Sequence, residues 1–199
     1  KIYIDGQLQV SEIESIKSFS GIREGVENSN YLLIGENNKY ILTIFEKRTS
    51  EKDLPYFFQL MNHLKDNQIK CPEVIKDRNN NFSNLLKNKH AAITTFLEGR
   101  SLEQIKPAHC AELGSAVAKF HNASSKLKIH RENKLGFQKL GKLVSSIDDL
   151  SDNIDKSTVE LIHKEYDLLS REISLEIPSG IVHADLFPDN IFFHDNKLS

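Results

Sequence analysis

Residues 181–193, Ile-Val-His-Ala-Asp-Leu-Phe-Pro-Asp-Asn-Ile-Phe-Phe, restrict what this chain can fold into more than any other stretch. Ile181 and Val182 at one end and Ile191, Phe192 and Phe193 at the other are β-branched and aromatic residues that suit a buried pleated surface. The expectation is therefore two short buried strands gripping a polar loop. Pro188 has no N–H to give to a ladder, so the chain must turn there. A loop clamped at both ends is a rigid mount for reactive groups.

The groups it mounts are Asp185 and Asn190, spaced with His183 as H-x-D-x-x-x-x-N. That spacing suits phosphoryl transfer, in which the Asp accepts the proton of a substrate hydroxyl and the Asn helps to hold Mg²⁺. His183 is expected to brace the loop by hydrogen bonds, because a buried imidazole needs partners whether or not it does chemistry. On local grounds the same three residues also fit an ordinary polar loop.

The remaining chain shows what surrounds this loop. Ile2 to Ile4 reads as an edge strand, and Ser11 to Glu14 has capping-box spacing for a short helix. Strands are predicted near 16–22, 30–34 and 40–45, joined by a loop over 23–29 and a turn at 36–39, which makes an antiparallel meander. In the first of these connections Gly21 and Gly25 relax the backbone, and Asn28, Ser29 and Asn30 offer donors that could cover phosphates; a plain hairpin loop is the alternative. Ser50 is placed to cap a helix carrying Leu54, Phe57, Phe58, Met61 and Leu64 on one apolar face. Cys71-Pro72 ends that helix unit, strands follow at 74–75 and 91–96 with a polar turn at 77–81 between them, and Leu97-Glu98-Gly99 closes the β-rich part. After Gly99 the pattern turns helical, with a helix from Pro107 bearing Cys110, Leu113, Val117 and Phe120, and further helical stretches over 142–150 and 158–172. The division expected is 1–97 and 98–199.

Composition excludes several classes. With 199 residues and 39% hydrophobic content the chain can bury a real core, and a formal charge of -2 argues against a broad nucleic-acid-binding face. Cys71 and Cys110 lack C-x-x-C spacing, so neither a disulfide scaffold nor a cysteine-rich zinc site is expected. No apolar run approaches membrane-span length, and a cytoplasmic protein is expected. Lys1 is not an initiator Met, and the pair Asp195-Asn196 reads as a hairpin turn whose return strand is expected to be missing, so the chain reads as a fragment.

A β-rich first part, a hinge near Gly99, a helical second part and then His183, Asp185 and Asn190 together resemble the aminoglycoside phosphotransferase and choline kinase superfamily. Residues 25–33, 40–48 and 183–190 are more narrowly similar to the bacterial homoserine kinase family of that fold. The resemblance implies an α+β, two-lobed protein-kinase-like fold, with an antiparallel N-lobe over 1–97 and an incomplete, mainly helical C-lobe over 98–199. It implies ATP-dependent phosphorylation of L-homoserine, with Mg²⁺, for threonine biosynthesis, and no nucleic-acid or membrane partner. Asp185 would be catalytic, His183 loop-bracing and Asn190 a metal ligand; Asn28, Ser29, Asn30, Thr43, Phe96 and Glu98 would face the nucleotide.

Two departures accompany the resemblance. The superfamily's second metal-binding Asp would lie beyond Ser199, so this chain alone is expected to bind nucleotide poorly and turn over negligibly. Thr43 stands where many kinases carry a phosphate-contacting Lys or Arg, and Lys47, four residues further on, is about 13 Å away at ~3.3 Å per residue. A kinase of the same fold acting on choline or an aminoglycoside, a non-catalytic nucleotide-binding module and, more remotely, a metal-dependent hydrolase are the other functions weighed.

Overall fold

A computed structural model describes residues 13–23, 28–46, 49–133, 136–147, 154–173 and 178–199. The strand and helix expected within residues 2–14, the loop residues 25–27, Lys47 and the 148–150 end of a helical stretch lie wholly or partly outside the described residues. The chain divides into two compact units, residues 1–129 with 180–199, and residues 130–179.

The first unit is built on an antiparallel sheet. Strands β1 (Ser18–Ile22), β2 (Ser29–Ile34) and β3 (Lys39–Ile44) form the meander that their alternation predicts. β4 (Val74–Ile75), β5 (Asn84–Leu86) and β6 (Lys89–Thr95) complete it in the order β1-β2-β3-β6-β4, with β5 pairing β6. The β5–β6 hairpin turns on Lys87 and Asn88, both with positive φ (48° and 64°), the two-residue geometry whose twist matches the flanking strands.

Alternation divides the sheet into two faces. Leu33, Tyr40, Leu42, Ala91 and Ile93 point to one side and make one buried cluster with Leu86. On the other, Ala92 and Val74 pack against Leu54 and Phe58 of α1 (Leu54–Asp66), with Phe45, Met61 and Phe82 around them. The start of α1 differs from the cap expected of Ser50. Ser50 makes no side-chain capping bond, and a single 3-10 turn over Glu51–Asp53 leads into Pro55 instead. Proline suits that first turn, where its missing N–H would have had no partner.

The polar turn at 77–81 is organised by Asp77, which is 5% exposed. Its carboxylate accepts from Asn79 N–H (2.8 Å), Asn81 N–H (2.7 Å) and Asn81 Nδ2 (3.1 Å). Burial raises this carboxyl, but the bonds from Asn81 and Asn79 outweigh it and hold it below its usual range. α2 (Pro107–Ser124) follows Arg100–Lys106, and His63 Nε2 of α1 lies 2.9 Å from its Ala123 carbonyl. His109 is the residue α2 buries near its start, whereas Cys110, expected on the apolar side, is exposed.

The second unit pairs α3 (Phe137–Ile147) with α4 (Lys156–Glu172). Phe137 stacks on Tyr166 with ring centroids 4.8 Å apart and an interplanar angle of 10°. Gly141 faces the same tyrosine so closely that a Cβ would collide with its hydroxyl. α4 begins at Asp155, whose carboxylate accepts from Thr158 N–H at 3.0 Å.

Candidate active site

Asp185 and Asn190 meet. The single 3-10 turn Pro188–Asn190, closed by Asn190 N–H donating to the Phe187 carbonyl at 2.9 Å, folds the chain back on itself. Asn190 Nδ2 then donates to the Asp185 carboxylate at 2.7 Å and to its backbone carbonyl at 3.1 Å. Both side chains are exposed. Upstream, Ala184 has φ 64°, a left-handed conformation that costs a residue with a Cβ about 1–2 kcal/mol. The effect is to turn the chain sharply between His183 and Asp185. His183 is exposed and makes no hydrogen bond among the described residues, so no bracing contact accompanies it there.

The mount differs from the expected pair of buried strands. Residues 181–182 form no strand, and Val182 is 61% exposed, because no neighbouring strand offers them a ladder among the described residues. Among the described residues the anchored side is the downstream one, beginning at Phe193. Phe193 is 7% exposed, donates its N–H to Arg100 O (2.9 Å) and accepts from Arg100 N–H (3.1 Å). It opens β7 (Phe193–His194), which pairs with β8 (Lys197–Leu198) across Asp195 and Asn196, at φ 49° and 60°. The return strand expected to be missing therefore begins within the chain, because this two-residue turn needs no further length. Gly99 makes room for the hairpin, since a Cβ there would lie 3.0 Å from Ser199 Cβ and 3.1 Å from Phe192 Cβ. Ser199 Oγ donates to the Glu98 carbonyl, and Ser199 N–H to Phe192 O at 2.9 Å. The segment around Glu98–Arg100 is thus tied directly to the hairpin that follows the Asp185–Asn190 loop.

The residues expected to face a nucleotide are distributed by strand register. Asn30, Thr43 and Ala92 form one row across β2, β3 and β6, on the face that packs α1. Thr43 Oγ1 donates to Asn30 Oδ1 at 2.9 Å, which commits the amide oxygen and orients its Nδ2 as a donor. Ser29 belongs to the opposite row with Ile44 and Ala91. Its hydroxyl donates to Glu46 Oε1 at 2.9 Å, while Lys89 Nζ holds Oε2 at 2.5 Å. Asn28 Oδ1 accepts from Glu46 N–H at 3.3 Å, so Glu46 organises the strand end that carries Asn28 and Ser29. At the other end of β3, Lys39 Nζ lies 2.9 Å from Glu98 Oε1 and 5.3 Å from the Phe96 ring centroid. Hydrogen bonding and charge from Lys39 hold the Glu98 carboxyl below its usual range. Glu46, Lys39 and Arg100 escaped sequence reasoning because each acts through partners far along the chain. Strand register, which pairs Lys39 with Ile34 and sets Phe96 beside Lys39, was the one signal available for Lys39.

Behind the loop lies an apolar cavity of about 190 Å³, with Leu102, His109 and Leu113 on one side and Leu186, Pro188 and Ile191 on the other. Its lining does not suit phosphate. Among the described residues no group of three or more His, Cys, Asp or Glu could hold a metal ion, which gives the hydrolase alternative no ligand set there. Nor is any described helix long and apolar enough to cross a membrane.

Comparison with known proteins fits this geometry. The chain is 41% identical to the homoserine kinase of Parvibaculum lavamentivorans over 98% of its own length and 61% of that protein's, and 38% identical to the homoserine kinase of Bradyrhizobium sp. (strain BTAi1) over 96% and 59%. It thus spans about three-fifths of the length of the curated relatives it matches. Among solved structures it superposes on the microcompartment-associated aminopropanol kinase with a TM-score of 0.68 at 17% identity, covering 88% of this chain and 59% of that one. A putative aminoglycoside phosphotransferase from Ralstonia eutropha gives a TM-score of 0.67 at 17% identity, over 96% and 59%. These likenesses show the fold, the protein-kinase-like arrangement of an antiparallel sheet followed by helices. Residues 18–199 match the phosphotransferase enzyme family, and the chain belongs to that family.

Proposed function

We propose that the complete protein transfers the γ-phosphoryl group of ATP to the side-chain hydroxyl of L-homoserine, giving O-phospho-L-homoserine and ADP. The observation that carries the chemistry is the Asp185–Asn190 pair, joined at 2.7 Å on a loop turned by Ala184. The substrate rests on the homoserine kinase names of relatives 38–41% identical.

In the reaction the homoserine oxygen attacks the γ-phosphorus, the bond to the β-phosphate oxygen breaks, and the hydroxyl proton passes to Asp185. Asn190 holds one carboxylate oxygen of Asp185 by its Nδ2, which orients the carboxylate and leaves its other oxygen for the substrate. With its Nδ2 committed to Asp185, Asn190 would offer Mg²⁺ its amide oxygen, a hard ligand. When bound, Mg²⁺ supplies charge neutralisation on the phosphates. Asn30, oriented by Thr43, is the neutral donor for the nucleotide side, with the backbone over 96–98 as the adenine edge. Asn28 and Ser29 contribute through the backbone of the β2 entry, since their side chains serve Glu46 and Thr49. The two-lobed division at 97/98 belongs to this proposal, with residues 1–97 as the nucleotide-binding lobe.

The test supplies ATP with homoserine, choline and kanamycin to the complete gene product. Homoserine should be the selective acceptor. Asp185→Asn should lower kcat by on the order of 10²-fold or more while KM for ATP is kept. Preference for choline or kanamycin would overturn the substrate, and an unimpaired Asp185→Asn enzyme would leave a nucleotide-binding module.

A further inference from the structure

One aromatic contact links the start of α2 to the strand that leaves the catalytic loop. His109 is 8% exposed. Its Nδ1 accepts the Lys106 N–H at 3.1 Å, so the ring proton sits on Nε2 and the ring cannot rotate without losing that bond. The ring so oriented meets Phe193 with centroids 5.0 Å apart and an interplanar angle of 50°. Phe193 is 7% exposed and fastened to Arg100 through both backbone groups, which makes it the point where the loop enters packed structure.

The rest of the loop's underside is loosely supported. Leu186, Pro188 and Ile191 line the cavity of about 190 Å³ together with Leu102 and Leu113. Leu186 and Phe187 remain 40% and 64% exposed. Beside the packing of α2 on β8, the His109–Phe193 contact is the aromatic link between α2 and the strand that leaves the loop.

We propose that His109 is a positioning residue for phosphoryl transfer, holding Phe193 and through it the register of Asn190 against Asp185. This rests on Asp185 as the proton acceptor. Two properties of the imidazole are needed together: a nitrogen that accepts the Lys106 N–H, and an aromatic face for Phe193. Leucine supplies neither, asparagine only an acceptor, phenylalanine only the ring.

The complete gene product carrying His109→Leu, His109→Asn, His109→Phe or Asp185→Asn is assayed for kcat, KM for ATP and thermal midpoint. The expected result for Leu and Asn is a kcat lower by roughly 10- to 10²-fold, the scale of misplaced catalytic groups, with KM for ATP little changed. His109→Phe should recover part of that kcat. A role confined to the start of α2 predicts instead that Asn, which keeps the acceptor, resembles the wild type, and that folded Leu and Phe enzymes lose stability but not kcat; that result overturns the proposal. If the His109 variants yield too little folded protein, Phe193→Leu tests the contact from its other side and must show the same fall in kcat. Asp185→Asn inactive with His109 variants at wild-type kcat removes the positioning role alone, whereas an active Asp185→Asn enzyme removes the base and the positioning role with it.

Discussion

Ala184 carries the local cost of the site. Its φ of 64° aims Asp185 away from the path set by residues 181–183, and the 2.7 Å bond to Asn190 then fixes the carboxylate. Backbone held in a sparsely populated region persists where surrounding contacts determine it, and such positions cluster at functional sites. Ala184→Val should therefore add on the order of 1 kcal/mol or more of strain, since a β-branched side chain is disfavoured at positive φ, while Ala184→Gly should stay within about 1 kcal/mol of the parent. Denaturant unfolding of the three proteins checks both; equal stability of Val and Ala would mean that residue 184 does not hold this conformation. Asp185 and Asn190 were legible in the sequence because their pairing is local, set by one proline-initiated turn. Ser29 and Asn30 were not separable there, because a strand's two faces acquire meaning only when its register is known: Asn30 joins Thr43, Ser29 joins Glu46.

Elements with strong periodicity were legible for the same physical reason. β2, β3, β6 and α1 each bury one face, so their alternation or helical spacing is written in the residues that pack, whereas β1 is exposed along most of its length. β5 is three residues long, too short for a pattern, and the strand expected at 181–182 failed because an apolar pair needs a neighbour as well as a propensity. α4 supplies the element whose stability can be read against pH. Hydrogen bonds from Ser157 and then Thr158 hold the Asp155 carboxyl at about 2, below its ordinary 3.8. A depressed folded value means the capping charge favours the helix above pH ~3.9 and loses that contribution as pH falls through about 2. Between those limits the thermal midpoint should decline, and Asp155→Asn, which keeps an acceptor but no charge, should lose that part of the decline. Circular dichroism melts from pH 5 to 2 decide it; parallel profiles for the two proteins would assign the decline to other carboxylates.

At the scale of the molecule the connections that matter are between distant segments, which is why sequence reasoning did not reach them. Arg100 pairs with Phe193, Glu98 receives Ser199, and Lys39 reaches back to Glu98, so the segment at the end of the sheet and the hairpin after the Asp185–Asn190 loop are one construction. The phosphoryl transfer we propose asks for more than the Asp185–Asn190 pair. Beside Asp185 and Asn190 it needs enough negative and hard oxygen ligands to hold metal at the phosphates, and no three-residue cluster of His, Cys, Asp or Glu occurs among the described residues. Curated relatives run to lengths of which this chain covers 59–61%. Metal contributes several kcal/mol of charge stabilisation to such a transition state, a factor of at least ~10² in rate. Residues 1–199 expressed alone should accordingly turn over homoserine more than ~10²-fold slower than the complete gene product and bind ATP more weakly, even when the Asp185–Asn190 loop is folded. Side-by-side measurement of kcat by coupled ADP release and of ATP affinity by calorimetry checks this. Comparable rates from the two proteins would mean that residues 1–199 already contain every group the chemistry requires, and that charge neutralisation comes from residues such as Lys89 or Lys39 released from their carboxylate partners.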